Sequence, residues 1–248
     1  MADFYETNIL RSGHQFGRAL IQANGSIGGH RHVFVKLQGN GKNGLSFPTT
    51  GGILVNPFKG AAKAFAGDLV EYTPAIGSEG AKVAILKTYK VAKAAGSSDT
   101  DIFIERDGYK HIPFVGDILM AAPSTLGGTG TAATVTAVEK TKESSKDVWK
   151  VTLSATLGTL ALGAILVEAV AAGSGKKAVV TNPNCFLPAD YDFLYEPSTG
   201  SDDYDGARYM LTPCIANEDT KVYIDRVSPL PASVLALNKS RINGWFNL

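Results

Sequence analysis

A short pattern recurs along the middle of this chain and narrows the folds open to it: a glycine leading straight into a small apolar run. Gly52-Ile53-Leu54-Val55, Gly67-Asp68-Leu69-Val70-Glu71, Gly116-Asp117-Ile118-Leu119-Met120 and Gly163-Ala164-Ile165-Leu166-Val167-Glu168 all carry it. The last three glycines are 49 and 47 residues apart. A glycine ahead of a buried strand lets the backbone turn sharply into a barrel or sandwich. The flanks match poorly, which argues against a simple duplication. With 27 glycines and 30 alanines in 248 residues, small residues and turns dominate, and long helices are not expected to carry the fold.

Three compositional zones follow. Residues 1–50 are rich in Gly and Asn and hold one short strand candidate, His32 to Leu37. Their net charge is +3, from Arg11, Arg18, Arg31, Lys36 and Lys42 against Asp3 and Glu6. So little apolar surface cannot order itself alone, and the segment reads as an extended N-terminal arm that docks on its own core or on a partner.

Residues 51–182 read as all-β, with Val/Ile/Thr-rich runs punctuated by glycine turns. Ile102–Glu105, Arg106-Asp107-Gly108 and Tyr109–Ile112 predict one hairpin. Thr134–Glu139 and Trp149–Ser154 predict a second, with Lys140 to Lys146 as its loop. A short helix over 58–66 is a further expectation, on a poor period. Residues 183–248 form a loop-rich β region packed on that body. Between Asp190 and Asp219 the net charge is −7, with Tyr191, Phe193, Tyr195, Tyr204 and Tyr209 threaded among the acids.

Charge and motifs exclude more than they select. A balance of 24 basic and 23 acidic residues argues against a generic polyanion binder, so nucleic acid is not an expected partner. The most apolar stretch, Leu157 to Ala172, is broken by Gly158, Thr159, Gly163 and Glu168, whereas a membrane helix needs about 20 apolar residues. The start, Met1-Ala2-Asp3-Phe4-Tyr5-Glu6, has no basic and then apolar leader, and two cysteines, Cys185 and Cys214, are too few for a disulfide scaffold. Free buried thiols and folding in a reducing cytoplasm are expected.

No motif reaches catalytic strength. Gly39-Asn40-Gly41-Lys42-Asn43-Gly44 satisfies G-x-G-x-x-G, but Leu45-Ser46-Phe47-Pro48 follows where a helix must begin. Gly173-Ser174-Gly175-Lys176-Lys177 lacks the leading glycine of a phosphate loop and its Ser/Thr. His30-Arg31-His32 supplies two imidazoles where zinc needs three or four ligands. Ser201 to Thr212 opens like a calcium loop but ends without the bidentate Glu. Asp190 and Asp192 are an acid pair of a kind common in loops. The expectation is therefore no enzyme, no cofactor and no metal.

The glycine-led runs, the second hairpin and the tail Asn182-Pro183-Asn184-Cys185-Phe186-Leu187-Pro188, Asp205-Gly206-Ala207-Arg208-Tyr209, Ser228-Pro229-Leu230-Pro231 and Asn243-Gly244-Trp245-Phe246 resemble bacteriophage virion proteins with small β-barrels. Among these the chain is similar to capsid-associated proteins of the crAss-like phages of Bacteroidales. The resemblance implies a capsid auxiliary protein, folded in the host cytoplasm and placed on the virion surface. It also implies the major capsid protein and neighbouring copies as partners. The expected fold is an all-β barrel or sandwich body with an extended arm and an irregular acidic C-terminal region. Expected partner-binding residues are Arg11, Arg18, His30, Arg31 and His32 in the arm, with Tyr191, Tyr195, Asp203, Tyr204, Asp205 and Trp245 in the tail. The alternative is a head-fibre, tail or baseplate module that holds host-surface glycan or protein on the Tyr-rich acidic loop.

Overall fold

The structure is a computed structural model that describes residues 34–36, 52–74, 81–108, 110–125, 127–187, 189–193, 208–211, 214–215, 221–223, 226–236 and 245–246. It is mostly β-strand. The one helix named among the described residues, α1 (Ala232–Ala236), is a single short turn against the core.

The longest strands pair in a ring. β6 (Thr88–Lys93) and β7 (Asp101–Glu105) are neighbours, as are β8 (Ile118–Ala121) and β9 (Thr129–Glu143). β10 (Lys146–Leu153) pairs with β7 on one side and β9 on the other, while β11 (Ile165–Glu168) joins β6 to β8. The hydrogen-bonded order β10-β7-β6-β11-β8-β9 thus returns to β10, and all these pairings are antiparallel. β12 (Gly173–Lys177) adds to the first residues of β9. A circuit of this kind leaves few open backbone edges.

A second sheet joins strands from before the ring to strands from after it. β2 (Gly52–Val55), β4 (Leu69–Thr73) and β5 (Lys82–Ile85) are joined by β13 (Cys185–Phe186), β15 (Arg208–Leu211) and β16 (Cys214–Ile215), in the order β15-β2-β5-β4-β13-β16. β3 (Ala62–Ala64) pairs with β14 (Tyr191–Phe193), so a strand stands where a helix over 58–66 was expected. β1 (Phe34–Lys36) pairs with β17 (Lys221–Tyr223), which also takes β18 (Trp245–Phe246) in parallel. The compositional boundaries near 50 and 182 are therefore crossed by shared sheets.

Side-chain alternation explains the packing. In β7, Ile102 and Ile104 are buried while their neighbours are half-exposed, and they meet Tyr89, Val91, Leu119, Val135, Val151 and Leu166 inside the ring. β8 and β11 depart from alternation because both of their faces are covered. Leu119 and Leu166 point into the ring, whereas Met120 and Val167 pack outward on Leu69, Leu86, Phe186, Val227 and Val234. That is why both strands read as continuous apolar runs. Each such fully buried side chain contributes roughly 1.5–3 kcal/mol relative to exposure.

Three of the four recurring glycines share one turn, while Gly52 is the first residue of β2 itself. In Phe65-Ala66-Gly67-Asp68, Phe114-Val115-Gly116-Asp117 and Ala161-Leu162-Gly163-Ala164, the fourth N–H donates to the first carbonyl at 3.0, 3.1 and 3.1 Å. The third residue has φ of +83°, +91° and +80°, a type II arrangement that favours glycine there. Each turn opens directly into β4, β8 or β11.

Two predicted hairpins fare differently. β9 and β10 form the second, but the strands run on to Glu143 and Lys146, so the loop is only Ser144-Ser145 instead of Lys140 to Lys146. The first is overturned. β7 pairs with β6 and β10, and the chain after Arg106-Asp107-Gly108 runs inward without forming a strand among its described residues. His111 is the reason: it is 1% exposed and its hydrogen bonds reach far across the fold.

Candidate functional site

Seven polar or charged residues are buried among the described positions, and six of them, Asp68, Lys87, Thr88, His111, Asp117 and Ser228, gather where the two sheets meet. Burying such groups is costly unless each finds a partner. The connector Leu86-Lys87, between β5 of one sheet and β6 of the other, carries the central cation.

Lys87 has no side-chain exposure. Its ammonium donates to the Pro57 carbonyl at 2.7 Å, Glu168 Oε1 at 2.9 Å and Asp117 Oδ1 at 3.4 Å, which uses all three of its donors. The Phe58 ring lies 5.5 Å from Nζ. Burial pushes the Glu168 carboxyl above its ordinary value; Lys87 pulls it down, and the Asp117 charge adds to the rise. Tyr89 stays a phenol far above its usual range, through burial first and then the Asp117 and Glu168 charges. Its hydroxyl therefore donates, to Asp117 Oδ2 at 3.3 Å, and the Phe114 N–H reaches the same oxygen at 2.9 Å.

The second half of the cluster is neutral at its centre. His111 Nδ1 accepts the Thr88 N–H at 3.1 Å, so the ring proton sits on Nε2 and is donated to Asp68 Oδ2 at 3.0 Å. Asp68 also accepts from the Phe65 N–H at 2.7 Å and the Ser228 hydroxyl at 2.5 Å. Phe58, Phe65 and Tyr89 surround the imidazole, with ring centroids 5.9 to 6.4 Å away. Serine, histidine and aspartate thus meet, but the serine donates to the aspartate and not to the histidine. No nucleophile–base bond exists in this set. Thr88 Oγ1 is the single buried side-chain polar atom without a partner among the described residues.

Exposed apolar residues stand on the segments that supply Asp117 and Glu168. β11 runs antiparallel to β8, with Glu168 opposite Leu119, so the end of one strand lies beside the start of the other. Val115 on the turn before Asp117 is 59% exposed, and Val170, two residues after Glu168, is 60% exposed. Val179, whose N–H donates to the Glu168 carbonyl, adds a third apolar side chain at that end.

Among the residues expected from sequence to bind partners, Tyr191 lies in β14, half-buried and packed on the core beside Phe193. Trp245 lies in β18, opposite Val222. Arg11, Arg18, His30, Arg31, His32, Tyr195, Asp203, Tyr204 and Asp205 lie outside the described residues. Asp190 accepts the Ala66 N–H at 2.8 Å, a structural bond. Cys185 is a free buried thiol. Among the described residues no three His, Cys, Asp or Glu side chains gather as a metal site, and no helix is long and apolar enough to cross a membrane.

Sequence reasoning missed Lys87, His111 and Glu168 as a set, because nothing local marks contacts across dozens of residues. The aspartates did leave a trace: Phe-x-Gly-Asp occurs at 65–68 and again at 114–117. Compared with protein-family models, curated proteins and solved structures, the chain matches none.

Proposed function

We propose that this chain is a virion structural protein, a capsid auxiliary protein that cements the major capsid protein lattice. In this reading the six-stranded circuit is a small β-barrel, and the arm and acidic tail reach neighbouring subunits or copies. The observation that carries it is that Val115, Val170 and Val179 are exposed apolar side chains on the segments next to Asp117 and Glu168. Exposed apolar side chains held on ordered turns and strands suit docking against another protein surface, since little ordering entropy is lost when they are covered.

Arm and tail would add weak ionic contacts, roughly 0–1 kcal/mol per exposed ion pair. Repetition over a lattice turns such contacts into strong attachment through avidity. The test is reconstitution: purified shells lacking this chain are mixed with it, and bound copies per shell are counted. Val115→Asp with Val170→Asp is expected to lower occupancy severalfold in a chain that still folds, and deletion of residues 1–50 to lower it further. Undiminished binding by the folded double variant removes Val115 and Val170 from the interface; failure of the unaltered chain to bind any shell removes the reading itself.

A further inference from the structure

We propose that Lys87 and Asp117 become joined by an intramolecular isopeptide bond, Nζ to Cγ, with Glu168 as the residue that moves the proton. This does not depend on the capsid reading. It follows from the three side chains standing on adjacent segments of the ring, just before β6, just before β8 and at the end of β11 between them.

The placement favours condensation over a resting ion pair. The Lys87 and Asp117 side chains are both fully buried, so there is no bulk water to hold their charges or to reverse the bond. Asp117 turns its two oxygens to different tasks. Oδ1 faces the lysine nitrogen at 3.4 Å. Oδ2 receives the Phe114 N–H and the Tyr89 O–H, two donors aimed where negative charge develops when the carboxyl carbon is attacked. Glu168 Oε1 lies 2.9 Å from Nζ, within reach of the proton that must leave it. Burial keeps that carboxyl more proton-retaining than an exposed one, which suits a group that must both take and give a proton.

The step balances without a co-reactant. A proton passes from the Lys87 ammonium to Asp117 Oδ1, leaving an amine and a carboxylic acid. The Nζ lone pair forms the bond to Cγ, and the carbonyl pair moves to Oδ2. Glu168 takes a proton from Nζ and passes that proton on to Oδ1, returning to a carboxylate. The electron pair on Oδ2 then restores the carbonyl, the Cγ–Oδ1 bond breaks, and one water departs. The product keeps its partners: Oδ2 still accepts both donors, and the remaining amide N–H has the Pro57 carbonyl beside it.

Asp68 shows that the lysine is not there for the turn. It makes the same bond to its own turn, at 2.7 Å to the Phe65 N–H, with a histidine and a serine as its other partners.

Mass spectrometry of the intact, fully denatured chain tests this directly. The expected mass is lower than that of the linear sequence by one water, and proteolysis yields a branched peptide joining Lys87 to Asp117. The loop closed between Lys87 and Asp117, 30 positions apart, also makes the reduced, denatured chain migrate faster on a gel. Lys87→Arg and Glu168→Gln are each expected to restore the full mass. A wild-type chain at full mass with no branched peptide overturns the proposal. Cross-linking in Glu168→Gln as complete and as fast as in wild type overturns the role given to Glu168. The wild-type measurement needs no variant, so misfolding of a substituted chain leaves the test intact.

Discussion

Asp68 and Asp117 hold the same position in two copies of one turn, each accepting the N–H of the residue three before it, Phe65 at 2.7 Å and Phe114 at 2.9 Å. The third copy has Ala164 there and still closes its turn at 3.1 Å. The carboxylates are therefore not needed to make the turn. They are kept for what they meet on their other side, and what they meet differs: a neutral imidazole and a hydroxyl for Asp68, an ammonium and a phenol for Asp117.

Asp68→Ala should accordingly cost far more than a lost turn contact. It leaves the Phe65 N–H, the His111 Nε2–H and the Ser228 hydroxyl buried without an acceptor. Each unsatisfied buried donor costs about 1–3 kcal/mol, so three of them predict a loss of at least roughly 3 kcal/mol. Urea unfolding measures it. A loss under about 1 kcal/mol, the size of one ordinary net hydrogen bond, means the network does not hold the sheets together.

Acid should loosen the protein through Glu105 and Asp101. Burial works to raise the Glu105 carboxyl, but the ammoniums of Lys110 and Lys90, the latter at 3.0 Å, outweigh it and leave it below its ordinary 4.5. Asp101 is lowered by hydrogen bonds from Lys150 and Thr152. A carboxyl lowered on folding binds fewer protons in the folded chain than in the unfolded one. Its stabilisation is full above the ordinary value and is lost as pH falls through the folded one. Glu105→Gln is expected to cost about 0.5 kcal/mol at neutral pH, a modest figure because the site is partly exposed. It should also flatten the decline on acidification, read as the urea midpoint against pH. An unchanged slope would count against these ion pairs.

What could be read in advance follows the range of the interactions. The glycine turns were visible because a positive φ and the apolar run after it are adjacent in the chain. The β9–β10 hairpin was visible for the same reason, since its partners are close in sequence. His111 was misplaced because Arg106-Asp107-Gly108 looks like a hairpin turn and Tyr109–Ile112 looks like its return strand. What decides that segment is Asp68, 43 residues away. Lys87 carries no local sign at all; its three acceptors come from Pro57, Asp117 and Glu168. A cluster assembled from segments spread between Pro57 and Ser228 is a property of the packed sheets.

Cys185 offers a check on how tightly the second sheet closes. It is 2% exposed, and burial pushes its thiol up to about 12. A thiol that holds its proton at neutral pH and has no path to solvent does not react. Iodoacetamide should leave the Cys185 peptide unmodified in the native protein and label it fully in urea. Native labelling at the unfolded rate shows that β13 opens readily.

The tight end of the β9–β10 hairpin is a point of strain that substitution can relieve. Glu143 pairs with Lys146, so Ser144 and Ser145 alone make the turn, at φ of +48° and +66°. Two left-handed residues in succession match the twist of the strands, and Asn-Gly is the pair that adopts them at least cost. A non-glycine residue held there gives up roughly 1 kcal/mol. Both serines are surrounded by exposed residues, so no packing offsets that cost. Ser144→Asn with Ser145→Gly should therefore stabilise the fold by about 1 kcal/mol, a rise in Tm of roughly 2–4 °C for a chain of this size. A fall in Tm would mean that the serine hydroxyls hold the loop by bonds worth more than the backbone strain.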